Sequence, residues 1–244
     1  MYHFFVPGEQ IKDNKAVITG PDFNHIANVL RMKTGEQIEI LDGCGHKYSG
    51  EIAEFKKNEI IVDLLGNFEV DSELPVKIVL FQGFPKSDKM EQIIQKCVEL
   101  GVHEIVPVMT SRTIVKLDEK KSDKKIERFN AISLSAAKQS GRGIIPEVTN
   151  VMSFREALEY AKKLDKLIIP YEDAEEMSRT RDVFNSIKDG SIGVFIGPEG
   201  GFSEEEVLAA RDIRAVPVTL GKRILRTETA GMAVIAMLGY VLEK

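Results

Sequence analysis

From residue 76 onward the chain alternates short apolar runs with amphipathic segments, and that alternation leaves few architectures open. Residues 76–81 are almost continuously apolar, as a strand covered on both faces of a parallel sheet must be. Residues 86–100 follow with Met90, Ile93, Ile94, Cys97 and Val98 along one side, which predicts a helix. The two periods then recur, with strands at 104–109, 167–169, 192–196 and 216–220 and helices over 123–139, 153–164, 178–187, 203–211 and 229–242. Ser203 with Glu206 three residues on completes a capping box. Strands alternating with helices over about 170 residues predict an α/β domain built on a parallel sheet.

The preceding seventy residues read differently. Four segments, at 15–19, 37–41, 47–55 and 59–65, read as short strands, and Asp42-Gly43 marks a turn. One helix fits 22–32, where Phe23, Ile26, Ala27 and Leu30 share a face, Asp22 is placed to cap it and Gly35 to stop it. Short strands so close together predict a small β-barrel. Asp71-Ser72-Glu73-Leu74-Pro75 reads as a linker, so the expected domains are 1–71 and 72–244.

Composition narrows the class. A hydrophobic fraction of 43% with 29% charged residues is that of a globular protein. No apolar run reaches the roughly 20 residues that span a bilayer, and the N-terminus lacks a signal peptide's basic start and apolar core. Two unpaired cysteines, Cys44 and Cys97, exclude a disulfide framework and a thiolate zinc site. The expectation is a soluble cytoplasmic protein without a membrane partner. The net charge of −5 argues against a polyanion partner, but it hides a gradient. Residues 1–75 carry 7 basic and 13 acidic side chains, 76–146 carry 13 and 8, and 147–244 carry 13 and 17. A basic middle between acidic ends is how a local polyanion site would look, and equally how a solvated surface can look.

Four constellations could carry chemistry. Gly197-Pro198-Glu199-Gly200-Gly201 leaves an apolar strand and enters a capped helix, which places it at the carboxyl edge of the sheet, where α/β folds bind ligands. It is neither a Walker loop nor a dinucleotide fingerprint, and the same glycines would serve a plain tight turn. Residues 220–231 also lead from strand to helix and crowd Arg226 and Glu228 beside Thr227 and Thr229 at a helix start, a natural anion site or a surface ion pair with an ordinary cap. Gln139-Ser140-Gly141-Arg142 sets a guanidinium on a glycine turn in the basic segment, suited to phosphate or base edges. Arg112, just after a strand, is the fourth.

Gly-Pro-Glu-Gly-Gly at 197–201, Leu-Gly-x-x-Ile-Leu-Arg-x-Glu-Thr-Ala at 220–230 and Gln-Ser-x-Arg at 139–142 resemble the RsmE family of ribosomal RNA small-subunit uridine N3-methyltransferases, members of the SPOUT superfamily. Residues 96–101, Lys-Cys-Val-Glu-Leu-Gly, and His25 with Val29-Leu30-Arg31 fit the same pattern, so the likeness spans both halves of the chain in order. It implies a SPOUT-type parallel sheet with a C-terminal trefoil knot, preceded by a PUA-like barrel that docks RNA. It implies a homodimer and S-adenosyl-L-methionine bound by Gly197, Glu199, Gly200, Gly201, Leu220, Gly221, Ile224, Leu225, Arg226, Thr229 and Ala230. Tyr171 and Glu172 match the family only loosely as a third contact. Arg31, Lys86, Arg112, Gln139 and Arg142 are the implied RNA contacts, to free small-subunit ribosomal RNA or to the assembled subunit.

The chemistry sets requirements of its own. Uracil N3 is protonated at neutral pH and attacks a sulfonium methyl only as that proton leaves, which needs alignment and a group favouring the anionic base. Arg226 and Arg142 stay charged at any working pH and fit that need; Glu199, Glu228 or water takes the proton, and no metal is required. The target base must also be unstacked into the pocket. Two other readings remain open here: a SPOUT-type enzyme acting on a ribose hydroxyl or a guanine, and an RNA-binding adaptor that takes no cofactor.

Overall fold

The computed structural model describes residues 1–115, 119–171 and 177–243, with the side chains of 119–121 also outside the described set. By contacts the chain divides into two units, Met1–Glu73 with Ala137–Ile145, and Leu74–Ala136 with Pro146–Lys244.

The first unit is built on β1 (His3–Phe5), β2 (Ile11–Lys12), β3 (Lys15–Thr19), β4 (Gln37–Leu41), β5 (His46–Phe55) and β6 (Glu59–Glu69). They form one sheet in the order β1-β4-β5-β6-β3-β2, antiparallel except where β1 runs parallel to β4. Alternating side chains carry Ala16, Ile18, Ile38, Ile40, Ile52, Ile60 and Val62 to a common core, as a period of two requires. The helix expected over 22–32 is shifted two residues towards the N-terminus and irregular. α1 (Gly20–Asn24) starts earlier, with Thr19 at its N-cap, and continues into a wider π-helical turn at His25–Leu30. Arg31, in the left-handed region at φ 54°, closes that turn.

This unit also reclaims residues 137–145, which the sequence reading assigned to the second domain. Polar ties hold the segment there, beside apolar packing of Val70 close to Gly143 and of Ile145 close to Gly43. Lys138 pairs with Asp22 at 2.7 Å, and a His3 ring nitrogen lies 2.8 Å from the Lys138 carbonyl. Arg142 Nη2 donates to Glu73 at 2.6 Å. The expected linker is therefore held at Glu73.

The second unit comprises β7 (Lys77–Gly83), α2 (Lys89–Glu99), β8 (Glu104–Met109), α3 (Glu119–Ser140, whose last turn belongs to the first unit), β9 (Glu147–Val148), β10 (Met152–Ser153), α4 (Phe154–Ala161), β11 (Lys166–Pro170), α5 (Met177–Asn185), β12 (Ser191–Ile196), α6 (Glu204–Asp212), β13 (Val216–Val218) and α7 (Thr227–Leu242). All strand pairs are parallel, in the order β10-β8-β7-β12-β11-β13 with β9 on β8. The apolar runs predicted as strands sit at the centre: Phe81 of β7 stacks on Phe195 of β12 with ring centres 4.5 Å apart. Capping boxes start α4 (Ser153, Glu156) and α6 (Ser203, Glu206), the latter as the sequence predicts. No described helix is long and apolar enough to cross a membrane.

Candidate active site

Parallel strands send all their carboxyl ends to one edge, and there the loops after β8, β11, β12 and β13 surround a cavity of about 600 Å³. Its wall on the β12 side is the glycine-rich turn 197–201 with Phe202 after it. A Cβ on Gly197 would fall 2.9 Å from the Gly201 carbonyl carbon, so only glycine lets the chain fold back this tightly. Gly201 takes φ +68° and closes the turn by donating its N–H to the Pro198 carbonyl at 2.9 Å. The loop after β8 buttresses this turn. Arg112 Nη1 donates to the Gly200 carbonyl at 2.8 Å, and Ser111 N donates to buried Glu206 at 2.7 Å.

The opposite wall begins where α7 starts. Thr227 Oγ1 donates to the Gly197 carbonyl at 2.6 Å and accepts from Gln82 Nε2, at the end of β7, at 2.9 Å. Outside this inner tie lies a charged one. Lys89, in the first turn of α2, is 3.1 Å from Glu199 and 3.3 Å from Glu228, and the Lys86 amide donates to Glu199 at 3.1 Å. Partial burial alone would raise the Glu199 carboxyl, but its own backbone amide, the Lys89 ammonium and the Lys86 amide outweigh that and hold it below the usual carboxylate range. Glu199 lifts the Lys89 ammonium above its ordinary range, desolvation opposes this, and Glu228 adds to the rise. A carboxylate held in its ionised form is a strong anchor and a weak base.

The cavity gathers Gly197, Glu199, Gly200, Gly201, Tyr171, Ile224, Leu225, Arg226 and Ala230 from the expected set, and adds Arg112. Leu220, Gly221 and Thr229 flank these loops without lining the cavity. Lys86 contributes its backbone amide, while its side chain is exposed. Arg31, Gln139 and Arg142 belong to the first unit. Arg31 and Gln139 are exposed. Arg142 corrects the expectation of an open fork for phosphate or base: its side chain is 3% exposed, because Glu73 takes Nε and Nη2 together. Glu172 lies outside the described residues. The sequence reading did not single out Gln82 or Lys89 as site residues. Their partners lie more than a hundred positions away, so no local spacing marks them. No described group of three or more His, Cys, Asp or Glu could hold a metal ion.

Residues 72–239 match the family model described as an RNA methyltransferase domain, and residues 18–65 match that of an RNA methyltransferase PUA domain. Ribosomal RNA small subunit methyltransferase E of Bacillus subtilis is 38% identical over 230 residues, covering 93% of this chain and 90% of that protein. The chain belongs to this methyltransferase family. The protein of the same name from Mesomycoplasma hyopneumoniae is 33% identical, with 95% and 96% covered. Among solved structures, this methyltransferase superposes on the Neisseria gonorrhoeae ribosomal RNA small subunit methyltransferase E bound to S-adenosyl methionine with a TM-score of 0.81, at 33% identity over 99% of this chain and 98% of that one. It superposes on a putative methyltransferase of Legionella pneumophila, in complex with the cofactor SAM, with a TM-score of 0.82, at 32% identity over 98% and 96%.

Proposed function

We propose that the protein transfers a methyl group from S-adenosyl-L-methionine to N3 of a specific uridine in small-subunit ribosomal RNA, acting in the cytoplasm as a homodimer. The observation that carries this reading is the cavity between the 197–201 and 224–230 loops, with Arg226 exposed on its rim. The residues present suit the cofactor. The volume falls in the usual range for small-ligand sites. Gly197 lets the turn fold back on Gly201, and that turn with its further glycines at 200 and 201 lines the cavity, so backbone groups can meet a ligand directly. Tyr171, Phe202 and Leu225 offer apolar wall for a purine, and the lining carries Glu199 and Glu204 as well as Lys89 and Arg112, which suits a ligand bearing both signs of charge.

When bound, S-adenosyl-L-methionine supplies a methyl already activated by its sulfonium. The chain's task is then to favour the anionic uracil, and Arg226 sets an exposed planar fork at the cavity edge. Glu199, fixed by Lys86 and Lys89, holds the loops, and the N3 proton passes to water. In this reading Arg31 and the exposed His25 and Asn28 help dock RNA on the PUA-like unit.

The finer expectations of the family resemblance belong here too. A trefoil knot is supported by the sheet order: β12 lies inside β11, and the chain then returns past β11 to β13 before α7 begins against Gly197. A second copy of the chain is supported by α7. Between Glu228 and Glu243 it carries no charged side chain, and its outer face exposes Ala236 and Tyr240, the latter at 87%.

The test is methyl transfer from labelled S-adenosyl-L-methionine to free small-subunit RNA and to assembled subunits, with mass mapping of the product. One N3-methyluridine is the expected result. A methylated ribose or guanine would move the target, and calorimetry showing no binding of the cofactor or of S-adenosylhomocysteine would leave an RNA-binding adaptor instead.

A further inference from the structure

We infer that Gln82 is a positioning residue for the cofactor cavity, acting through Thr227 on the Gly197 carbonyl; this rests on the methyltransferase reading above. Gln82 is fully buried at the end of β7 and does not line the cavity. Its amide nitrogen donates twice, to its neighbour Gly83's carbonyl at 3.0 Å and to Thr227 Oγ1 at 2.9 Å. With that lone pair engaged, the Thr227 hydroxyl spends its single proton on the Gly197 carbonyl, at 2.6 Å. One chain of hydrogen bonds thus links β7, the first residue of α7 and the first glycine of the 197–201 turn. Two of its three members are cavity wall.

A second observation shows that the amide is not there for packing. Gln82 Oε1 is buried with no hydrogen-bond partner among the described residues. It faces Gly231 of α7, where an added Cβ would come within 3.3 Å of it. An apolar side chain of the same length would fill this place without stranding an acceptor, so the amide N–H is the group that matters. Rotating the amide would not help. It would offer Thr227 an acceptor, and the hydroxyl has one proton for two carbonyl-type oxygens. The geometry therefore sets a direction: a donor at position 82 orients the Thr227 hydroxyl, and that hydroxyl fixes the Gly197 carbonyl and the gap between the two cofactor loops.

The test is calorimetric binding of S-adenosylhomocysteine to the full-length protein and its variants, beside single-turnover methyl transfer at saturating cofactor. Gln82→Met should weaken binding at least tenfold while the saturated rate stays within a few-fold of wild type. Thr227→Val should weaken binding likewise, and Thr227→Ser, which keeps the hydroxyl, should retain most of the affinity. Gln82→Glu supplies the diagnostic readout. An ionised carboxylate cannot donate to Thr227, whereas the protonated acid can, so its affinity should recover as the pH falls. Gln82→Met measured over the same range subtracts the titration of Glu199, Glu228 and Lys89, which face the same loops. Equal affinity in wild type and Gln82→Met, or a Gln82→Glu variant with no recovery at low pH, overturns the inference. Failure of the wild type itself to bind overturns the methyltransferase reading instead.

Discussion

Arg142 Nη2 lies 2.6 Å from Glu73 Oε2, and the same carboxylate accepts the amides of Gly143 at 2.8 Å and Ile144 at 3.4 Å. Burial pushes the Glu73 carboxyl up, but Arg142 and the two amides outweigh it, so the group sits below its usual range. A lowered folded-state value means that the pair's contribution is complete above the unfolded-state value, about 4.3, and is lost as pH falls through the folded one. Denaturant unfolding should therefore show wild-type stability declining as pH falls below about 4, with Glu73→Gln flatter over that window. Arg142→Ala strands a partly buried carboxylate and should destabilise by about 2–4 kcal/mol near pH 7. A variant of full stability that had lost only RNA affinity would return Arg142 to the contact role that its motif implies.

The family resemblance implies Arg112 as an RNA contact, and its hydrogen bond to the Gly200 carbonyl ties it to the cofactor cavity as well. Arg112→Ala should raise the dissociation constant of S-adenosylhomocysteine by roughly tenfold, the lower end for a charged donor because the side chain is exposed. Unchanged calorimetric affinity, together with a salt slope for RNA smaller by about one unit, would instead make it a phosphate contact.

Among the glycines of the 197–201 turn, Gly197 is the one that tolerates no side chain. A methyl at 197 meets Gly201 backbone at 2.9 Å, whereas one at 200 meets Arg112 Cβ at 3.2 Å, a contact that a shift of a few tenths of an ångström relieves. Gly197→Ala should abolish cofactor binding in a folded protein, and Gly200→Ala should weaken it only a few-fold. The reverse order in calorimetry would mean that the turn opens when the ligand enters.

Local periodicity explains why so much was legible. Apolar runs such as Ile192–Ile196 had no surface to face, and Ser203 with Glu206 writes its cap in four residues. The glycine turns announced the sheet edge in the same way. What stayed hidden depends on pairs far apart in sequence. Glu73 and Arg142 are 69 residues apart and carry 137–145 into the first unit. Gln82 and Thr227 are 145 apart and look unremarkable where each stands. The irregular helix near Arg31 was hidden for another reason: an extra residue in a turn leaves the apolar spacing of Phe23, Ile26 and Leu30 nearly unchanged.

Arg226 separates binding from catalysis. Its backbone begins α7 with extended dihedrals, and its carbonyl accepts the Ala230 amide at 2.8 Å, neither of which depends on the side chain. The guanidinium is exposed at the cavity rim, so exchanging it leaves the inner tie from Gln82 through Thr227 to Gly197 in place. Lysine keeps the charge there but not the planar fork that can meet two oxygen atoms of an anionic uracil. Arg226→Lys should bind S-adenosyl-L-methionine and RNA nearly as wild type, yet transfer the methyl on the order of 10²–10³ more slowly, the usual cost of losing one preorganised donor. Raising the pH should recover part of that loss, because more of the uridine is then already deprotonated at N3 and less stabilisation is asked of the side chain. Single-turnover transfer across a pH series, with both substrates saturating, measures this directly. Collapse of cofactor affinity with a surviving saturated rate would make Arg226 a binding residue and leave the uracil anion to another donor.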